Sequence, residues 1–266
     1  MLYVNEEPLE FKKDLKPIDF AADVKPGADI FIINGFPVSP DTPLKDGDRC
    51  WLIKRGERPS AREMNRLLYA RHSPGVQEKI AKASVGIMGL GGLGSVLAVA
   101  LARIGVGHLL LADFDVVEPS NLNRQQYFID QIGMPKTTAL KENITRINPY
   151  IAIDIIQERL TEKSIPVLFK SVDALAECFD NPETKAAALR AVLTELPGIG
   201  YVTTSGLAGY GANNTIITKM IYPNVYMVGD GESAASQGQG LMAPRVGIAA
   251  HHQANKILQL LLKHPM

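Results

Sequence analysis

Four groups of residues have types and spacing that suit chemistry. Gly89-Leu90-Gly91-Gly92-Leu93-Gly94-Ser95 has the GxGxxG spacing, in which backbone N–H groups at a helix start face a phosphate. Asp113 follows 24 positions after Gly89, where an acid commonly hydrogen-bonds a ribose hydroxyl. Gly89, Gly91, Gly92, Gly94 and Asp113 therefore read as nucleotide-binding residues, but they suit NAD as well as ATP, because both own a pyrophosphate and a ribose. Arg124 and Lys136, twelve positions apart, separate the two nucleotides. Arg124 offers a planar fork to two oxygens and Lys136 a compact charge. Asp180 supplies a carboxylate of the kind that holds Mg²⁺ on β- and γ-phosphates. A nicotinamide-dependent oxidoreductase gives these three residues no shared task; a polyphosphate under attack does.

The surrounding elements must put these groups together. From Ser84 the chain alternates: strand Ser84–Met88, helix Ser95–Ile104, strand His108–Ala112, a polar loop from Asp113 to Gln126, helix Lys136–Ile147 and strand Ile151–Ile156. A short helix at Ser164–Phe169, strand Ser171–Phe179, helix Thr184–Thr194, strands Tyr201–Ser205 and Thr215–Ile221 and a terminal helix Arg245–Lys263 follow. Such alternation predicts an α/β class, a Rossmann-like, doubly wound, mostly parallel sheet with helices on both faces, and it sets the glycine loop in the strand–loop–helix context that gives GxGxxG meaning. Residues 1–56 read separately. Leu2-Tyr3-Val4 and Leu9-Glu10-Phe11 flank the turn Asn5-Glu6-Glu7-Pro8, a helix fits within residues 13–24, and Ile30–Ile33 and Cys50–Ile53 are strands. This order resembles the β-grasp (ubiquitin-like) fold of ThiS-like sulfur carriers. Residues 57–82 are expected to be linker and helix, with Ser60 as N-cap, Glu63 completing a capping box and Met64, Leu67 and Leu68 on one face. Residues 83–266 form the nucleotide-binding domain.

Bulk composition removes several classes. The chain has 266 residues, 28 Lys+Arg against 28 Asp+Glu and 46% hydrophobic residues, the profile of a globular protein with no basic excess for nucleic acid and no anionic-lipid signature. The apolar stretch Val85–Ala112 is broken by glycines, Arg103 and His108, so it predicts strand, helix and strand rather than a membrane span. Met1 to Glu7 carries no basic stretch followed by an apolar run. With only Cys50 and Cys178 and no CxxC pair, neither a disulfide framework nor a four-cysteine zinc site can be built. The expectation is a cytoplasmic protein without nucleic acid, membrane or zinc.

The run Asp113-Phe114-Asp115-Val116-Val117-Glu118-Pro119-Ser120-Asn121-Leu122-Asn123-Arg124-Gln125, together with Gly133-Met134-Pro135-Lys136, resembles the ThiF/MoeB family, bacterial relatives of the ubiquitin-activating enzymes. Tyr69-Ala70-Arg71-His72, Phe179-Asp180-Asn181 and Gly238–Gly247 extend the resemblance over residues 60–266, closest to the short ThiF branch linked to thiamine biosynthesis. It implies a nucleotidyltransferase that uses Mg·ATP to adenylate the C-terminal glycine of a small β-grasp carrier with a Gly-Gly tail. It also implies that Asp113 binds ribose, that Asn121, Arg124 and Lys136 contact the triphosphate, that Asp180 ligates Mg²⁺, and that Arg71 reaches the neighbouring subunit's site in a homodimer. The chemistry agrees: a carboxylate attacking the α-phosphate accumulates charge on oxygens, and cations must already be in place.

Several positions keep two readings. Asp115, a candidate nucleotide contact, Glu118 and Asn123 suit loop capping equally well, and Arg71 suits a solvated surface. His251 and His252 read as packing or surface residues, and Cys178 and Cys50 as buried small hydrophobes. Unlike many relatives, the chain lacks paired CxxC motifs and a cysteine in the loop after Asp180, so adenylation is expected without a covalent enzyme–carrier intermediate. The N-terminal unit runs through Lys54-Arg55-Gly56-Glu57 into the next domain, so its Gly56 is an amide; docking or regulation is expected of it. Gly229–Gly240 suits a mobile crossover loop over a carrier tail. The alternatives are another sulfur carrier of the MoaD-like kind, the oxidoreductase above, and a non-catalytic nucleotide-binding scaffold.

Overall fold

A computed structural model describes residues 1–57, Glu63, Leu67, Ala70, His72, Ser73 and 75–263. The expected capped helix from Ser60, with Met64 and Leu68, and the candidate Arg71 lie outside the described residues. The chain divides into two compact units, Met1–Glu78 and Lys79–Met266.

In the first unit β1 (Leu2–Val4) pairs antiparallel with β2 (Glu7–Leu9), Val4 opposite Glu7. The turn is only Asn5-Glu6, both at positive φ (47° and 67°), the left-handed pair that suits the twist of a two-residue hairpin. The expected second strand at Leu9–Phe11 is thus corrected: the tighter turn brings it back to Glu7. Helix α1 (Ile18–Val24) buries Phe20 and Ala21. Strand β3 (Ile30–Ile33) turns at Asn34-Gly35 into β4 (Phe36–Val38), which the sequence reading missed, and β5 (Arg49–Ile53) closes the unit. The order β2-β1-β5-β3-β4, with β1 and β5 parallel at the centre, is that of a β-grasp sheet. Alternation assigns the faces: Leu2, Val4, Phe31, Ile33, Cys50 and Leu52 meet α1, while Ile32 and Trp51 point the other way, onto Ala70 and Leu67.

Helix α2 (Val76–Ile80) runs across the division, and the second unit holds a seven-stranded sheet ordered β11-β12-β10-β9-β6-β7-β8. The strands are β6 (Ser84–Met88), β7 (His108–Ala112), β8 (Ala152–Ile156), β9 (Ala174–Glu177), β10 (Gly200–Thr204), β11 (Ile217–Tyr222) and β12 (Val225–Gly229), all parallel except β11. Helices α3 (Gly92–Arg103), α4 (Lys136–Ile147) and α7 (Ala243–Leu261) build one hydrophobic core, and α5 (Ser164–Phe169) and α6 (Pro182–Glu195) a second. This is the doubly wound α/β architecture that the alternation predicts. Strand β12 was missed: Asn224 at φ 61° permits a tight turn from β11, so an antiparallel pair replaces one strand and a loop. Among the described residues no helix is long and apolar enough to cross a membrane.

Strand order dictates where a ligand fits. From β6 the chain moves to β7 and β8 on one side, whereas β9 lies on the other. The loops leaving β6 and β9 therefore diverge over helices on opposite faces and open a crevice at the carboxyl ends, the place where open α/β sheets bind ligands.

Candidate active site

The glycine loop spans the end of β6 and the start of α3, and steric demands explain its glycines. Gly89 sits at φ 88° with its N–H on Ala112 O at 2.9 Å, a conformation open to glycine at no steric cost. A Cβ on Gly94 would lie 1.9 Å from the Gly89 carbonyl oxygen, so only glycine lets the helix start this close to the strand. Gly92 opens α3 beside Arg124, whose Cγ would stand 3.3 Å from an added Cβ.

Asp113, buried at the end of β7, fastens this loop to the next. One carboxylate oxygen accepts the Leu90 N–H at 2.6 Å and the other the Asp115 N–H at 2.8 Å. A carboxylate offers about four acceptor positions, so capacity for a ribose hydroxyl remains. The Tyr127 hydroxyl donates to Leu90 O at 2.8 Å; burial first, and then the Asp113 charge, push its pKa well up and keep it a donor.

The polar loop after Asp113 delivers both cations. Asp115 O accepts the Lys136 N–H at 3.0 Å, and its carboxylate holds the Lys136 ammonium, also at 3.0 Å. Lys136 is buried and Asp115 about half exposed, so the ammonium is presented from the first turn of α4 rather than left to wander. Asn121 is buried in a short 3₁₀ turn, its Oδ1 accepting the Glu118 N–H at 3.1 Å. Arg124 donates to Asn123 Oδ1 at 2.8 Å and Ser120 O at 3.3 Å. Asn121, Asp115 and Asn123 thus each perform the capping or steering work that their residue types suggest. Next to Gly91, Gln125 keeps a buried side-chain oxygen with no hydrogen-bond partner among the described residues.

Across the crevice, the turn after β9 carries Asp180. Phe179 reaches 3.2 Å from the position a Cβ would take on Gly89, so this turn abuts the glycine loop. Asp180 is exposed, and the next residue, Asn181, caps α6 by accepting the Thr184 N–H at 2.9 Å. No group of three or more His, Cys, Asp or Glu side chains converges among the described residues. The donor set suits Mg²⁺, which is commonly held by one or two carboxylates plus substrate phosphates and water rather than by a protein cage.

The structure ties the glycine loop to Asp113 through the Leu90 N–H, Asp113 to Asp115 and Asp115 to Lys136, sets Arg124 beside Gly92, and packs Phe179, the neighbour of Asp180, against Gly89. Two ion pairs near the crevice escaped the sequence reading. Glu177, fully buried on β9, pairs with Lys185 at 2.9 Å; its signal was a lone acid inside an apolar strand. Asp230 pairs with buried Arg245 at 2.6 Å, joining the start of the crossover segment to α7. Burial opposes ionisation of Asp230, but hydrogen bonds from the Ser233 hydroxyl, the Ser233 and Glu232 N–H groups and Arg245 outweigh it and take its pKa down to about 2. Cys178 is buried against Gln253 and burial pushes its thiol pKa up, as burial pushes Cys50 up to about 12; neither is poised as a thiolate.

Residues 63–266 match the ThiF family, and residues 1–56 match a ThiS-like ubiquitin domain. The chain belongs to the ThiF family. It is 32% identical over 193 residues to the sulfur carrier protein ThiS adenylyltransferase of Escherichia coli, covering 70% of this chain and 74% of that protein. To the molybdopterin-synthase adenylyltransferase of Escherichia coli it is 42% identical over 106 residues, 40% of this chain and 43% of the relative, so the chain spans less than half of that protein. Among solved structures the fold is shared with the E. coli tRNA N6-threonylcarbamoyladenosine dehydratase, described in complex with AMP, at TM-score 0.67, 22% identity and coverage of 74% of this chain and 93% of that one. As a ThiF-family member with adenylyltransferase relatives, the chain is classed as a nucleotidyltransferase.

Proposed function

We propose that this ThiF-family enzyme binds Mg·ATP in the crevice between β6 and β9 and adenylates the C-terminal glycine carboxylate of a separate ThiS-like sulfur carrier, in thiamine biosynthesis. The reading is supported by Arg124 beside Gly92, Lys136 linked through Asp115 and Asp113 to the glycine loop, and the Phe179–Asp180 turn packed against Gly89; a hydride-transfer site needs none of the three charged residues.

The carboxylate oxygen of the carrier forms a bond to the α-phosphorus, the bond from that phosphorus to the bridging oxygen breaks, and pyrophosphate leaves. The backbone N–H groups of Gly91–Gly94 hold phosphate oxygens, Asp113 takes a ribose hydroxyl, and Gln125 offers its side-chain oxygen to a donor on the nucleoside. Arg124 and Lys136 stabilise charge that grows on the phosphate oxygens, already oriented by Asn123 and Asp115 and therefore ready without reorganisation. Asp180 is the residue that would hold Mg²⁺, which when bound would supply positive charge to the departing pyrophosphate. Arg71 completes the neighbouring subunit's site in a homodimer. The enzyme works in the cytoplasm and without zinc.

The ThiS-like N-terminal domain and the ThiS adenylyltransferase relative favour a thiamine carrier over a molybdopterin one. Incubating the protein with Mg·ATP and purified ThiS-like or MoaD-like carriers, and weighing each carrier, tests both parts. AMP gained by the ThiS-like carrier is expected; gain only by the MoaD-like carrier reassigns the pathway, and gain by neither sinks the adenylation reading.

A further inference from the structure

The turn that carries Asp180 is held from beneath by a buried ion pair with no direct part in the reaction above. Glu177 Oε1 accepts the Phe179 N–H at 2.6 Å, and Oε2 accepts the Thr203 hydroxyl at 2.5 Å. Lys185 on α6 reaches both oxygens at 2.9 Å and donates onward to Thr204 O at 3.0 Å and its hydroxyl at 3.2 Å. From α7, Gln253 donates to the carbonyls of Glu177 and Val202, both at 3.1 Å. The Glu177 carboxylate thus joins the carboxyl ends of β9 and β10 to α6, while α7 is joined to the same strands through their backbone carbonyls.

Stability alone is a poor reason for such a pair, since well-packed apolar residues of similar volume are often as stable or more so. Direction is a better one. Asp180 lies between Phe179, whose N–H is fixed by Glu177, and Asn181, whose side chain caps α6; the same helix supplies Lys185. Both hydrogen-bonded anchors of the turn lead back to the Glu177–Lys185 pair or to the helix that carries Lys185.

We propose that Glu177 and Lys185 are positioning residues that fix the Phe179–Asn181 turn, and with it the Asp180 carboxylate, where the cation on ATP is met. The proposal rests on the reading of Asp180 as the Mg²⁺ ligand. The probe is Mn²⁺, titrated by electron paramagnetic resonance into the full-length protein saturated with α,β-methylene-ATP. Nucleotide affinity without metal is measured alongside. Lys185→Met is expected to weaken Mn²⁺ binding about tenfold or more, the scale on which groups behind a metal ligand act, while metal-free nucleotide affinity stays within about twofold. Lys185→Arg, which keeps charge and reach, is expected to recover most of the loss. Thr203→Val, which removes one neutral donor to Glu177, should cost roughly two- to tenfold and serves if Lys185→Met does not fold. Asp180→Asn is the reference. If it weakens Mn²⁺ binding while Lys185→Met, or Thr203→Val in its place, does not, the positioning role is overturned. Equal loss of metal-free nucleotide binding also overturns it, as a general structural defect. If Asp180→Asn leaves Mn²⁺ binding intact, the ligand assignment itself fails, and this inference with it.

Discussion

At the residue scale the glycines divide into those the fold requires and one, Gly91, that the proposed nucleotide site requires. A Cβ on Gly94 would press on the backbone carbonyl of Gly89 at 1.9 Å, and a backbone oxygen cannot swing aside as a flexible side chain can. Gly94→Ala is therefore expected to destabilise the unit by about 3 kcal/mol or more, read as a lower denaturation midpoint. At Gly91 the nearest atom to an added Cβ is 3.7 Å away, on Gln125, and φ is −73°. Gly91→Ala should stay within about 1 kcal/mol of the parent yet weaken ATP binding, because the methyl enters the space a phosphate needs; unchanged calorimetric ATP affinity would remove Gly91 from the site. Lys136→Met removes a cation whose partner, Asp115, remains half exposed and solvated. Folding should survive, while carrier-dependent pyrophosphate exchange falls about a hundredfold or more. These positions were legible in the sequence because their chemistry is local: residue types at fixed spacing on consecutive elements. Glu177, Lys185 and Arg245 were not, since their roles depend on Thr203, Thr204 and Asp230, which only the packing of separate strands and helices brings near.

At the scale of elements, the βα alternation was readable from hydrophobic runs and glycine punctuation, and helix Lys136–Ile147 and strand His108–Ala112 have the bounds read from sequence. Two of the misreadings fall where a left-handed residue shortens a turn, at Asn5-Glu6 and at Asn224, since neither position carries the glycine that usually announces one; the third, β4, follows the Asn34-Gly35 turn but is only Phe36-Pro37-Val38, too short and too exposed for a hydrophobic pattern. The segment from Gly229 to Gly240, expected as a mobile crossover loop, has an anchored start: Gly229 ends β12, and Asp230 binds Ser233 and Arg245. The Asp230 carboxyl titrates near 2 when folded, against 3.8 for an unperturbed Asp. A depressed folded pKa stabilises above the unfolded value and loses that contribution as pH falls through the folded one. The anchor is therefore fully in place above about pH 4 and is lost between about pH 4 and pH 2, a change of roughly 2 kcal/mol. Hydrogen exchange should show the amides of Glu232 and Ser233, which bond to Asp230 at 2.8 Å, losing protection across that window. Arg245→Met should loosen the same amides already at neutral pH. Protection that ignores both acid and Arg245→Met would mean that the ion pair does not hold the segment.

For the molecule as a whole, the question is why a carrier-like unit precedes an enzyme that acts on carriers. A donor needs a free, flexible glycine carboxylate, and the first unit offers neither the freedom nor the acid. Gly56 is in amide linkage to Glu57, whose carboxylate is held by Lys25 at 2.7 Å, and the same ammonium holds Glu63 at 2.8 Å. The sheet face away from α1, where Ile30, Ile32, Trp51 and Ile53 gather, is covered by Leu67 and Ala70 from the segment that follows. The unit is thus closed by its own continuation, at the tail and on the second face of its sheet. It keeps the carrier's shape without its reactive end, and it should not compete for the adenylyl group. Intact mass spectrometry of the full chain after incubation with Mg·ATP alone is expected to show one unchanged species, while a separate ThiS-like carrier in the same tube gains AMP. Cleavage after Gly56 accompanied by AMP on the released N-terminal fragment would reverse the conclusion, and would make the first unit the enzyme's own substrate.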